Sequence, residues 1–284
     1  MTRHLIHIGY PKTGSTFLQK WFASHPQLAF REAGLAGFRD VYTLAHDIVT
    51  GGQPAYRVTS SERLSSPNAN MAEELEDYTS PLSMRDMQAE VCRTLASVFP
   101  NAMILIVTRG FRGMILSSYS QYVRTGGEAD LPGFFATLKD DPWDYDTVIG
   151  MYARAFGAQN VIVMPYELLR DDSDAFLREL SARLQLDPVP ASRERVNVTL
   201  TPAELHWYPR FTRLVRRFAP RPLLRRYAGV LMNNRLRWPI RVLAKLRTHA
   251  PLTVPDSVLE QYRGRASTLR DDALYAPYAA DYLF

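Results

Sequence analysis

The sequence predicts an α/β fold: a doubly wound parallel sheet of the phosphate-loop type, flanked by helices and extended by a basic helical embellishment toward the C-terminus. Three observations carry this expectation. The apolar stretch Leu5-Ile6-His7-Ile8 runs into the turn Gly9-Tyr10-Pro11-Lys12-Thr13-Gly14-Ser15-Thr16 and then into a helical pattern. Ala102 to Thr108 is an unbroken apolar, β-branched run of the kind found in a central parallel strand. Further strand and helix patterns alternate along the chain, which implies helices on both sheet faces and ligands beyond the carboxyl ends of the strands.

Each element has a local justification. Phe17, Leu18, Trp21 and Phe22 recur at helical spacing over Thr16 to Ser24, and His25-Pro26 stops that helix. Residues 29–54 are glycine-broken, with a short helix expected over Val41 to Val49, and Tyr56-Arg57-Val58-Thr59 reads as a short strand. Ser65 to Asn70 is a polar loop. Ser83 to Phe99 fits a long amphipathic helix with Met84, Met87, Val91, Leu95 and Val98 on one face. A helix over Arg112 to Arg124 ends at Gly126-Gly127, another spans Asp146 to Phe156, Asn160 to Met164 is a buried strand, and Asp174 to Leu184 closes the pattern with a helix.

Length and composition bound the rest. A chain of 284 residues, 46% hydrophobic, supports one large α/β domain without requiring a second. The expected division is a nucleotide-binding core over 1–204, a basic amphipathic segment over 205–255, and a C-terminal helix and tail over 256–284 packing on the core. The single cysteine, Cys92, gives no intramolecular disulfide and reads as a buried helical thiol. Met1-Thr2-Arg3-His4 leads into the first strand without a signal-type apolar core, and no apolar run approaches the ~20 residues of a membrane span. A cytoplasmic location is expected. The net charge of +5 is unevenly placed: between Glu204 and Asp256 there are twelve basic residues and no carboxylate, leaving 22 basic against 29 acidic residues elsewhere.

The first loop departs from the nucleoside-triphosphate pattern G-x-x-x-x-G-K-[ST] in one respect. Gly9 and Gly14 keep the spacing, but Ser15 stands in the lysine slot and Lys12 lies inside the loop. Such a loop still wraps an anion, because glycine permits the turn and the N–H groups opening the next helix point at the ligand. A magnesium-dependent triphosphatase would place an aspartate at the end of a central strand. Here Met103–Thr108 ends in Arg109, whose fork suits a second phosphate; the alternative is an arginine that caps a neighbouring helix.

These residues resemble the sulfotransferases that use 3′-phosphoadenosine 5′-phosphosulfate as donor. Tyr10-Pro11-Lys12-Thr13-Gly14-Ser15-Thr16 is similar, position for position, to that family's 5′-phosphosulfate loop. Arg109, with Ser117 eight residues later and Ser118-Tyr119 after it, is similar to the 3′-phosphate motif. Val161 to Asp172, including Tyr166-Glu167-Leu168, resembles a third, weaker element, and Tyr262-Arg263-Gly264 resembles a remnant of an Arg-Lys-Gly clamp, with an exposed helix arginine as the alternative. The resemblance covers about the first 185 residues. It implies that Lys12, Thr13, Gly14, Ser15, Thr16 and Phe17 hold the 5′-phosphosulfate, that Arg109 and Ser117 hold the 3′-phosphate with Tyr166 and Arg263 beside the nucleotide, and that no metal takes part.

The acceptor hydroxyl needs a general base. Glu62, just past the second strand, is the first candidate, and His46, on the short helix of the insert, is the second; the cytosolic family members carry histidine after that strand. The basic segment interleaves arginines with Phe211, Leu214, Val215, Phe218, Leu223, Leu224 and Trp238, and the prolines at 209, 220, 222 and 239 are expected to cut it into short helices. It suits an anionic membrane surface, a cleft for an acidic acceptor, or a solvated face packed on the core. Nucleic acid is not expected, since no reading motif accompanies the charge. The acceptor is expected to be a small molecule, or a lipid or glycan presented at the inner membrane face. Two rivals stand beside this: a phosphotransferase using ATP, and a non-catalytic membrane-peripheral nucleotide-binding protein.

Overall fold

The computed structural model describes residues 3–32, 34–38, 53–67, 82–138, 141–190, 200–218, 242 and 249–284. The expected helix over Val41 to Val49 and most of the basic segment lie outside them. The chain forms two compact units: Met1–Gly110 with Asp140–Val196 and Tyr262–Phe284, and Phe111–Lys139 with Asn197–Gln261.

The first unit holds a five-stranded, all-parallel sheet of order β2-β3-β1-β4-β5. Its strands are β1 (Arg3–His7), β2 (Leu28–Phe30), β3 (Tyr56–Ser60), β4 (Met103–Thr108) and β5 (Val161–Pro165). All six residues of β4 are buried, as its unbroken apolar run requires for a strand covered on both faces. One face packs Leu5, Val58, Leu105 and Val107 against Leu18, Trp21 and Phe22 of α1 (Ser15–Ser24). Phe176, Leu177 and Leu180 of α7 (Ser173–Leu184) join the same cluster. Alternation turns Ile6, Ile104 and Ile106 the other way, where α5 (Tyr145–Phe156) lies on β4 and β5 and α2 (Met84–Val98) packs on α5. β1 connects onward to β2, on the β3 side, whereas β4 connects to β5 on the opposite side. The crossover direction therefore reverses between β1 and β4, the position where open α/β sheets form a ligand crevice.

Three local expectations are corrected. β2 is too short, at three residues, to show an alternating pattern, and it forms because its register with Tyr56 to Val58 continues the sheet. The buried stripe of α2 is Met84, Met87, Gln88 and Cys92, and Val98 is exposed. Gln88 turns inward because its amide donates to the Ser65 carbonyl at 2.8 Å and the Pro142 carbonyl at 3.1 Å. Cys92 is buried, and burial pushes its thiol up to about 11.

In the second unit, α3 (Phe111–Arg124) packs on α8 (Pro202–Phe218), with the short α4 (Leu131–Phe135) and α9 (Asp256–Leu259) beside them. Thr201 and Glu204 form a capping box at the start of α8: the Glu204 carboxylate accepts from the Thr201 N–H at 2.7 Å, and the Thr201 hydroxyl accepts from the Glu204 N–H at 3.3 Å. The third correction is Pro209, which does not cut the segment; α8 runs through it. Proline removes one backbone bond and costs about 3 kcal/mol in a helix interior, and the buried side chains Ala203, Tyr208 and Thr212 hold the helix against a neighbouring surface despite that cost. Of the described arginines there, Arg210 donates to the His206 carbonyl, Arg213 to the Glu128 carbonyl and Arg216 to the Gly126 carbonyl. No described helix is long and apolar enough to cross a membrane.

Candidate active site

Four strand ends converge on one edge of the sheet, and each contributes a polar residue. After β1, Ile8 continues the pairing by donating to the Leu105 carbonyl, and the chain then folds back at Tyr10. The Tyr10 carbonyl accepts both the Thr13 N–H, at 3.3 Å, and the Thr13 hydroxyl, at 2.7 Å. Thr13 is fully buried, so its side chain closes the loop. The turn places two residues in the left-handed region, Lys12 with φ 72° and Gly14 with φ 83°. Gly14 is also the N-cap of α1, and no side chain caps that end among the described residues; its carbonyl accepts the N–H groups of Phe17 and Leu18. An uncapped helix start with its first N–H groups turned outward is suited to an anion. Ser15 is buried at the first turn, Thr16 is exposed, and Phe17 packs against the core cluster.

After β3, the chain enters a single 3₁₀ turn, Glu62–Leu64, capped by the Ser61 hydroxyl. Two ties fasten this turn to the loop. Ser61 donates its N–H to the His7 carbonyl at 3.1 Å, and the Ser65 hydroxyl donates to the Gly9 carbonyl at 3.0 Å. Glu62 thereby comes beside Lys12 and Ser15. Burial raises the carboxyl above the usual carboxylate range, while the Ser15 hydroxyl and the Lys12 ammonium pull it back down.

Beneath the loop sits His7, fully buried at the end of β1. Its Nδ1 is 2.8 Å from the Ser60 hydroxyl, which also accepts from Gln19 Nε2 at 3.2 Å. A Cβ added at Gly9 would run into the His7 ring, so only glycine lets the loop cross there. Burial lowers His7 to about 3, and lowers His4 to about 4 with help from the Arg57 charge. Both folded-state values lie below the ordinary histidine value of about 6.5. The unfolded chain therefore takes up protons as pH falls through that value while the folded chain does not, and stability present above it is lost toward pH 3. His7 alone is expected to cost on the order of 3–5 kcal/mol over that window. Thermal melts from pH 7 to pH 4 check this: His7→Asn should fall less steeply than wild type, and parallel slopes would contradict it.

At the end of β4, Arg109 donates through Nη1 to the Lys12 carbonyl at 2.8 Å, and its guanidinium lies 4.6 Å from the centre of the Tyr166 ring. The strand end is anchored from below: Thr108 Oγ1 meets the Tyr275 and Tyr282 hydroxyls at 2.8 and 3.1 Å, and the Tyr145 hydroxyl donates to the Arg109 carbonyl at 2.6 Å. After β5, Glu167 of the short α6 (Tyr166–Asp171) is buried and accepts from the Gly110 N–H at 3.0 Å and from the Tyr282 hydroxyl at 2.9 Å. Burial raises its carboxyl, against those two donors and Arg109.

The structure thus gathers Lys12, Gly14, Ser15, Glu62, Arg109 and Tyr166 on one edge of the sheet. Ser117 is half-buried on α3 and belongs to the second unit, Arg263 is exposed in the turn before Gly264, and His46 lies outside the described residues. Sequence reasoning missed His7, Ser65, Glu167 and the C-terminal tyrosines Tyr275 and Tyr282. Ser65 lies in a polar loop, and the tyrosines carry no motif; only Glu167, inside the third motif, offers a signal.

No family model matches the chain, and no curated protein matches it. Among solved structures, it is similar to a sulfotransferase from Alicyclobacillus acidocaldarius at 15% identity and a TM-score of 0.48, over 85% of this chain and 99% of that one. It is also similar to mouse sulfotransferase SULT7A1 complexed with PAP, at 12% identity and a TM-score of 0.42, over 99% of this chain and 88% of the other.

Proposed function

We propose that the protein transfers a sulfuryl group from 3′-phosphoadenosine 5′-phosphosulfate to the hydroxyl of an acceptor, with Lys12 and Glu62 as the chemical pair. The observation that carries this reading is the tying of the Glu62 turn to the lysine loop, through Ser61 on the His7 carbonyl and Ser65 on the Gly9 carbonyl, at the uncapped start of α1. Residues 12–17 hold the 5′-phosphosulfate, Thr13 and Phe17 by shaping the loop and Gly14, Ser15 and Thr16 by facing the anion. Arg109 serves the 3′-phosphate.

In the transfer, the acceptor oxygen forms a bond to sulfur as the bond from sulfur to the bridging phosphate oxygen breaks. Charge grows on that leaving oxygen, and an ammonium aimed at it lowers the barrier, as donors directed at developing charge do. Glu62 takes the acceptor proton; a carboxyl raised by burial is a stronger base than one in water. The buried, neutral His7 keeps a second charge out of the floor of the site.

Calorimetry tests the donor. Adenosine 3′,5′-bisphosphate is expected to bind without magnesium and at least tenfold more tightly than ATP with magnesium, a difference of about 1.4 kcal/mol. Preference for magnesium-ATP would replace sulfuryl transfer by phosphoryl transfer. Lipid and glycan hydroxyls are the acceptors to screen once donor turnover is detected.

A further inference from the structure

We propose that Arg109 is a strut for the anion loop, a positioning residue that holds Lys12 and Gly14 in their left-handed conformations whether or not a 3′-phosphate is present. This deepens the donor reading above and rests on it for its nucleotide measurements.

The loop contains two left-handed residues separated by one position, and the first of them, Lys12, has a Cβ. That conformation is disfavoured for a residue with a side chain, and it persists where surrounding contacts over-determine it. Arg109 supplies one such contact directly, since its Nη1 grips the Lys12 carbonyl at 2.8 Å. Tyr166 supplies the next: its ring carries the Arg109 guanidinium on its face, and a Cβ at Gly14 would lie 3.5 Å from the ring edge and closer still to Leu169. The ends of β4 and β5 therefore brace both left-handed positions from one side. Their own placement is fixed by Glu167 on the Gly110 N–H and by the Tyr145 hydroxyl on the Arg109 carbonyl. A guanidinium carries five N–H groups, so the grip on Lys12 leaves chemistry for a phosphate as well. The resemblance implies only the phosphate; the geometry adds that the same side chain sets the loop.

Two measurements on purified full-length protein separate these roles. In nucleotide-free protein, Arg109→Ala is expected to speed amide hydrogen exchange at Thr13, Phe17 and Leu18, whose N–H groups are held by the Tyr10 and Gly14 carbonyls, by about tenfold or more, with the strands of the sheet unchanged. Tyr166→Leu, which leaves every Arg109 donor and its charge in place, is expected to loosen the same amides. In calorimetry, Arg109→Ala should weaken adenosine 5′-monophosphate, which has no 3′-phosphate, by about 10- to 100-fold, the range of a lost charge-assisted hydrogen bond, and adenosine 3′,5′-bisphosphate by at least as much. Exchange unchanged in both variants, or an affinity loss confined to the bisphosphate, would overturn the strut. Failure of wild type to bind either nucleotide would sink the donor reading instead, while exchange in the nucleotide-free protein would still decide the strut.

Discussion

Glu62→Gln is expected to lower kcat by about 10²- to 10⁴-fold, the range lost when a general base is removed. The amide keeps the shape of the carboxylate and its place beside Ser15, so donor affinity should stay within a few fold. Two further signatures come from the same burial. The wild-type kcat profile should fall in acid with a limb above the ordinary carboxylate range, because the folded-state carboxyl is raised by burial, and that limb should vanish in the variant. A raised folded-state value also means that the ionised carboxylate weakens the fold, and that the associated stability is fully present only below the unfolded value. Glu62→Gln should therefore melt higher than wild type near neutral pH and converge with it in acid. Steady-state turnover against pH, paired with melting curves over the same range, tests all of this. Unimpaired turnover would remove Glu62 from the chemistry.

Lys12→Ala is expected to lower kcat on the order of a hundredfold, about 3 kcal/mol of barrier, as for a lost donor to developing charge. The fold should survive, because Lys12 meets Arg109 through its backbone carbonyl, which alanine retains. Lys12→Gly sharpens the test. It removes the same ammonium but relieves the left-handed strain at φ 72°, so it should lose turnover equally while melting no lower than Lys12→Ala. Activity retained in both variants would favour a nucleotide-binding protein whose loop does no chemistry.

Much of this site could be read along the chain because its parts are local. Gly9, Lys12, Gly14 and Ser15 fall within seven residues, and their spacing alone implies a turn that presents N–H groups at a helix start. The strand ends Arg109 and Tyr166 follow from the apolar runs before them. What escaped was set by distant partners. Gln88 turned inward to satisfy two carbonyls, shifting the buried stripe of α2 and leaving Val98 in solvent. Pro209 has the local cost of a breaker, and buried neighbours carry the helix through it.

The sequence by itself determined a parallel α/β sheet with a glycine-bounded loop between its first strand and first helix, since periodicity and glycine spacing act over a few residues. Only the tertiary structure decided which residues face one another there. Glu62 reaches Lys12 because Ser61 and Ser65 tie its turn to His7 and Gly9, and Arg109 grips the Lys12 carbonyl across 97 positions of chain. Contacts of that separation arise from the order of strands in the sheet, and no window of sequence records it.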